Sequence, residues 1–351
     1  MRQNFTFEEF LRLANNFYMS KGLSGDVGRI SLDGELFNYI NSNVSTLDNK
    51  KNVALVFICL NPLYWEYAKE MVDGARKFLL PGHQVDFFFW TDIPQDIEVA
   101  KSKILDAWCS LTEKGIKRDD PNTIARVEQI SQGIQVLRAD EHIHFISTEP
   151  IEWPYPTLLR YNLFLQEEEA LKKYDYIFYC DVDMRFEGIV GDEILGNGIT
   201  AAQHPMYAIK KQLWPPYEPN PESASYIERP GKIIMDNGMP RFMPLYYAGG
   251  FQGGKSKDFI KAMKKCKELT EKDLSKNYIP IWNDESVWNK YLSINPPDVV
   301  LTPAYIYPDS LIQEYYIPLW GQDYPKKLVT LTKWFSTNKA GGDAVQKMLN
   351  K

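Results

Sequence analysis

Tyr176-Ile177-Phe178-Tyr179-Cys180-Asp181-Val182-Asp183 is a continuous apolar and aromatic run closed by two acids, one residue apart. Lys172-Lys173 precede it and charge follows, so it reads as a buried central strand. Side chains of a strand alternate faces. On that reading Asp181 and Asp183 project to the same side at the strand's C-terminal end, roughly 6–7 Å apart at ~3.3 Å per residue. Two carboxylates so placed repel unless a cation lies between them. Hard oxygen ligands suit Mg²⁺ or Mn²⁺, ions that share their remaining sites with water and substrate phosphates. Open α/β sheets bind ligands outside the carboxyl ends of their strands. The run therefore points to a metal–diphosphate site, against the commoner use of Asp-x-Asp as turn or surface acids.

Upstream, Val53 to Leu60 (VALVFICL) reads as a first buried strand ended by Asn61-Pro62. Tyr64 to Leu80 has helical spacing, with Ala68, Met71, Val72 and Ala75 on one side, and Pro81-Gly82 stops it. Val85 to Trp90 is a second strand. This strand–helix–strand order predicts a parallel sheet with a right-handed crossover. Residues 99–140 read as one or two charged helices, His142 to Ser147 as a short strand, and Tyr161 to Tyr174 as a helix. From Asp183 to Gly254 the chain is rich in Gly and Pro, as expected of binding loops on a rigid sheet. Lys257 to Lys272 is a basic amphipathic helix whose charge reads as a solvated face. The fold class is α/β, a mixed sheet flanked by helices.

The chain has 351 residues, 44% hydrophobic and 25% charged, values of a globular protein with a substantial core. A formal charge of −6 argues against nucleic acid as a main partner. Cys59, Cys109, Cys180 and Cys266 are scattered, with no zinc spacing. Their placement suggests a reducing compartment, so a cytoplasmic location is expected. The N-terminal stretch has no apolar signal core and no run is long enough to span a membrane, so no transmembrane segment is expected.

Three clusters follow the acidic pair. Trp282-Asn283-Asp284-Glu285-Ser286 leads into a helical pattern, with Asn283 or Asp284 as N-cap and Glu285 in the first turn, where the helix dipole favours a carboxylate. First-turn acids often only stabilise a helix, but Trp beside paired acids also suits a sugar site. Tyr246 to Gly254 (YYAGGFQGG) sets small residues between aromatics and lets a ligand approach the backbone; a glycine-rich hairpin is the plain alternative. His204 before Pro205 is more often structural than catalytic, and only its company makes it a candidate.

Together, FYCDVDMRF (178–186), HPMY (204–207), ESASYI (222–227), YYAGGFQGG (246–254) and WNDESVWNKYL (282–292) resemble the family 6 retaining glycosyltransferases. That family includes the histo-blood-group A and B transferases, α-1,3-galactosyltransferase and soluble microbial relatives. FICLNPLYWEY (57–67), LLPGHQVDFFFWTD (79–92) and WPYPTLLRYNLF (153–164) extend the likeness upstream. The resemblance implies a GT-A type single-domain fold over 51–310, with an insertion at about 100–140. Residues 1–50 are then an N-terminal helical extension, and 311–351 a tail closing over the donor. It implies transfer of galactose or N-acetylgalactosamine from a UDP-sugar to the 3-hydroxyl of a galactoside acceptor, with α configuration retained and Mn²⁺ (or Mg²⁺) as cofactor. Asp181 and Asp183 would hold the metal. Phe57, Tyr64, Arg160, Asp181, Val182, Ala248, Gly249, Gly250, Asp284 and Lys333 would meet the UDP-sugar. Glu285 would lie under the anomeric carbon as the catalytic acid group, and His204 and Trp282 would contact the acceptor. Ala248 and Gly250 match positions that sort galactose from its N-acetyl form, and their small size suggests room for the latter. A non-catalytic carbohydrate-binding protein and a metal-dependent UDP-sugar hydrolase are the rival classes. The first has no need of Asp181, Asp183 and Glu285 together.

Overall fold

A computed structural model describes residues 50–111, 114–208, 215–228, 234–236, 239–241, 246–309 and 324–333. The expected helical extension over 1–50 and most of the 311–351 tail lie outside these residues. In chain order the elements are β1 (Asn52–Cys59), α1 (Trp65–Phe78), β2 (Gln84–Thr91), α2 (Ile97–Cys109), α3 (Pro121–Arg138) and β3 (Ile143–Ser147). Three short helices follow, α4 (Tyr155–Leu158), α5 (Arg160–Phe164) and α6 (Glu168–Leu171), then β4 (Tyr176–Cys180), β5 (Met184–Phe186) and β6 (Ile199–Gln203). The hairpin β7 (Ile234–Asp236) and β8 (Met239–Arg241) precedes β9 (Tyr247–Lys255), α7 (Ser256–Leu274) and α8 (Asn283–Ile294). Last come β10 (Val299–Leu301), β11 (Tyr307–Pro308) and β12 (Leu328–Thr330).

A seven-stranded sheet in the order β10-β6-β9-β4-β1-β2-β3 forms the centre. β1, β2, β3 and β4 run parallel, and β9 is antiparallel to both β4 and β6. Both faces are covered, which is why β1 is apolar throughout. Val53, Leu55, Phe57 and Cys59 face one core with α1, α2 and α3, where Met71, Ile104 and Ile130 are buried. Ala54 and Val56 face the other with α5, α7 and α8, where Phe164, Met263 and Trp288 are buried. The architecture is the mixed, helix-flanked α/β sheet of the GT-A type.

The first two strands and α1 fall where the apolar runs place them. Residues 99–140 form two helices, capped by Asp96 and Asp120, whose carboxylates accept first-turn N–H groups at 2.8 and 2.9 Å. These helices pack into the core instead of hanging from it: Val127, Ile130 and Ile134 are all buried. The lysine face of α7 is solvated, with Lys264, Lys265 and Lys267 paired to Glu168, Glu268 and Glu271.

Two expectations change. The helix expected over 161–174 is broken into α5, a 3-10 turn and α6. The glycine-rich 246–254 stretch is neither loop nor hairpin but the sheet's longest strand. Its glycines answer to crowding: a Cβ on Gly253 would stand 2.3 Å from the carbonyl oxygen of Ile177, on the neighbouring strand. β9 can lie between β4 and β6 only without side chains there.

Candidate active site

β4 ends at Cys180, so Asp181, Val182 and Asp183 lie just past it, in the turn to β5. The pair is not strand-borne, as the alternation argument supposed. Two backbone bonds fix the turn instead: the Asp181 N–H donates to Gly250 O at 2.9 Å, and the Leu331 N–H donates to Asp183 O at 3.0 Å. The turn is thus pinned to the central β9 on one side and to the β12 end on the other. Both acids and Val182 line a cleft of about 790 Å³ at the carboxyl ends of β1, β2 and β4. Its other walls include Asn61, Pro62, Tyr64, Asp92, Trp153, Thr157, Arg160, Tyr179 and Lys333. This is where ligands enter open α/β sheets.

Lys333 is set by the small sheet β11-β12-β5. Its Nζ lies 3.0 Å from Asp183 Oδ2 and 3.2 Å from the Tyr64 hydroxyl. Burial raises the pKa of Asp183, and Lys333 opposes the shift. Asp183 and Asp181 together raise that of Lys333 against its own burial. Among the described residues no group of three or more His, Cys, Asp or Glu side chains converges on one point. The donor set is two carboxylates opening on a cleft large enough for a nucleotide. That fits a hard divalent cation completed by water and phosphate oxygens, rather than a metal caged by protein.

Arg160 joins this end to the second acidic pair. Nearly all of it is buried, with 4% exposed. Its Nη1 donates to Gly249 O at 2.9 Å and lies 3.2 Å from Asp284 Oδ2, and its Nη2 lies 3.9 Å from Asp181 Oδ1. The guanidinium also sits 4.1 Å above the Tyr179 ring. Arg160 Nε and Asp284 Oδ2 have no hydrogen-bond partner among the described residues. Buried polar atoms left so are costly unless a ligand engages them.

Glu285 occupies the first turn of α8, and its Oε2 accepts the Gly249 N–H at 2.9 Å. Burial pushes its pKa up to about 7, against the Gly249 N–H and the nearby Tyr246 hydroxyl. Burial likewise carries Asp284 to about 7, against Arg160. The N-cap is Trp282, not Asn283 or Asp284; Asn283 takes a left-handed conformation with φ of 49°. α8 is docked by Asn289, which bonds both the N–H and the carbonyl of Tyr247 at 2.9 and 2.8 Å.

Three of the expected ligand residues are placed otherwise. Phe57 is fully buried and stacks on Phe89 at 4.7 Å, so its ring stands in the core behind the cleft. Ala248 packs into the same core. The space beside Gly250 is taken: a Cβ there would meet Asp181 Oδ2 and Ile306 Cδ1, each at 2.8 Å. The absence of a side chain at Gly250 therefore admits the acid turn. Gly249 does lie at the site, with Asp284 Oδ2 3.1 Å from where its Cβ would stand.

His204 is half-buried, its desolvation lowers its pKa to about 4, and its Nδ1 accepts the Met206 N–H at 3.2 Å. Its ring lies 5.7 Å from that of Tyr246. Trp282 is 43% exposed at the start of α8, three residues before Glu285. Neither residue lines the cleft. Sequence reasoning passed over Tyr179, Gln252 and Asn289. Gln252, buried in β9, accepts from the Tyr161 hydroxyl at 3.0 Å and donates to Gly249 O at 2.9 Å. Tyr179 was detectable, because it sits two residues before Asp181 and shares its face.

A model of glycosyltransferase family 6 matches residues 162–317, which include Asp181, Asp183, Asp284 and Glu285. The histo-blood group ABO system transferase 1 of Rattus norvegicus is 27% identical over 249 residues, 71% of this chain and 59% of its own. The globoside alpha-1,3-N-acetylgalactosaminyltransferase 1 of Homo sapiens is 23% identical over 250 residues, 70% of this chain and 58% of its own. The O-antigen biosynthesis glycosyltransferase WbnI of Escherichia coli is 28% identical over 169 residues, 48% of this chain and 67% of its own. The chain spans about three-fifths of the length of the two animal relatives. No described helix is long and apolar enough to cross a membrane. With the sheet, the acid turn and the half-buried Glu285 in place, these matches support a family 6 glycosyltransferase.

Proposed function

We propose that this protein is a retaining glycosyltransferase. It moves galactose or N-acetylgalactosamine from a UDP-sugar to a hydroxyl, the 3-OH of a galactoside acceptor, and leaves an α linkage. The name of the globoside relative speaks of an alpha-1,3 transfer of N-acetylgalactosamine, and the side chains of the site support the reading. Asp181 and Asp183 would hold Mn²⁺ or Mg²⁺, which supplies positive charge against the departing diphosphate. Lys333, beside Asp183, adds a fixed cation at that end. Arg160, whose buried Nε has no hydrogen-bond partner among the described residues, and Asp284, ion-paired to it, would meet the sugar hydroxyls.

The observation that carries the reading is the Gly249–Glu285 bond. It holds a half-buried carboxylate on the same peptide that accepts from Arg160, and Arg160 reaches from there to the acid turn that lines the cleft. As the donor's C1–O bond breaks, the anomeric carbon gains positive character. Ionised Glu285 either bonds to that carbon or stabilises it, as the second carboxylate does in retaining glycoside chemistry. The acceptor then enters on the face from which the UDP left.

UDP release from a panel of UDP-sugars, with and without Mn²⁺ and with galactoside acceptors, tests this. Release that needs Mn²⁺, prefers UDP-galactose or UDP-N-acetylgalactosamine and rises with acceptor supports transfer. A rate indifferent to every acceptor supports hydrolysis instead. A cytoplasmic site of action belongs to the same proposal, and fractionation of cells expressing the full chain checks it.

A further inference from the structure

We propose that Tyr179 is a positioning residue for the metal-binding end of the cleft. It fixes the Asp181 carboxylate with its hydroxyl and the Arg160 guanidinium with its ring. The inference rests on the metal-dependent reading above.

Tyr179 is the next-to-last residue of β4 and only 3% exposed, yet it lines the cleft. Its hydroxyl donates to Asp181 Oδ1. The Arg160 guanidinium lies 4.1 Å from the ring centre, and its Nη2 approaches the same Oδ1. On the other side, Asp181 Oδ2 stands 2.8 Å from where a Cβ of Gly250 would be. The carboxylate is therefore bracketed. Oδ1 is taken by a donor from its own strand, and Oδ2 lies against β9. Asp181 follows the end of a strand in a turn, so nothing in regular structure orients it. The Tyr179 hydroxyl supplies that orientation.

Packing alone would not call for the hydroxyl. The ring meets Phe164 at 5.5 Å, and phenylalanine would fill the same space. The ring's second use is as a platform for a buried cation, worth most where water is excluded. One side chain thus couples the acid that would meet the metal to the arginine that would meet the sugar.

The test separates hydroxyl from ring. Mn²⁺ binding in the presence of UDP is read from the signal of free Mn²⁺ in electron paramagnetic resonance, with no turnover involved. Tyr179→Phe keeps the ring and is expected to weaken Mn²⁺ by about tenfold or more, the usual cost of removing a partner of a metal ligand. Tyr179→Leu should add a rise in KM for the UDP-sugar, because Arg160 loses its platform. Tyr176→Phe removes a strand-mate hydroxyl that bonds Gly196 O at 2.9 Å, far from the acids, and should leave Mn²⁺ binding unchanged. Wild-type Mn²⁺ affinity in a folded Tyr179→Phe overturns the inference and leaves the metal reading intact. A wild-type protein that takes up no Mn²⁺ with UDP overturns both. A Tyr179→Phe chain that does not fold makes the hydroxyl a structural group and also overturns it.

Discussion

Glu285 Oε2 accepts the backbone N–H of Gly249 at 2.9 Å, and the carbonyl of that same glycine accepts from Arg160 at the same distance. One peptide position of the central β9 therefore sets both the acid from α8 and the arginine from α5. Displacing that strand would uncouple the two halves of the site.

Glu285→Gln keeps an acceptor for the Gly249 N–H and removes the charge. We expect UDP and Mn²⁺ binding to persist while kcat falls by about a hundredfold or more. Calorimetric UDP binding beside steady-state rates checks this. Unchanged kcat would remove Glu285 from the chemistry.

Asp284 and Glu285 both stand near pKa 7, above ordinary values of 3.8 and 4.5. Between these values the folded chain binds more protons than the unfolded one. Their contribution to stability is thus greatest below about pH 4 and is lost as pH rises through about 7. Urea midpoints should decline from about pH 5 to 8, and more gently in Glu285→Gln. The proposed reaction needs ionised Glu285, so kcat/KM is expected to rise with pH through an acid limb near 7.

Asp284→Asn leaves the buried Arg160 cation without its nearest carboxylate, at 3.2 Å. Removing one partner of a buried pair costs about 3–5 kcal/mol. Thermal or urea unfolding should show that loss, and adding UDP-sugar should not restore it.

Two alanine substitutions in β9 should differ in kind. At Gly253 the new Cβ would meet the Ile177 backbone at 2.3 Å, which cannot give way, and folding should fail or weaken severely. At Gly250 it would meet the Asp181 carboxylate and the tip of Ile306, which can move. Gly250→Ala should fold with a loss of about 1–3 kcal/mol and a weakened response to Mn²⁺. Unfolding curves and Mn²⁺ titrations distinguish the two.

Lys333→Ala removes the cation 3.0 Å from Asp183. A charge-assisted contact is worth about 1.5–3 kcal/mol, so UDP affinity should fall by about tenfold or more. Equal affinity in the variant, measured by calorimetry, would take Lys333 out of diphosphate binding.

The sequence by itself determined the strands that bury both faces, because continuous apolar runs such as 53–60 and 176–180 admit no other placement. It also marked Asp181, Asp183, Asp284 and Glu285, since acids beside apolar or aromatic runs stand out from a solvated surface. Tertiary structure decided what those residues touch. The 246–254 stretch became a central antiparallel strand because neighbouring backbones on both sides exclude side chains at Gly253 and Gly254, a fact no local pattern carries. Phe57 went to the core because the face a strand residue takes depends on which helices pack there. Arg160 found Gly249 O, Asp284 and the Tyr179 ring across separations of 89, 124 and 19 residues, contacts that only long-range packing creates. Periodicity fixes which groups lie on one element's face; the energies that orient a buried charge come from other elements, and those the chain brings together only on folding.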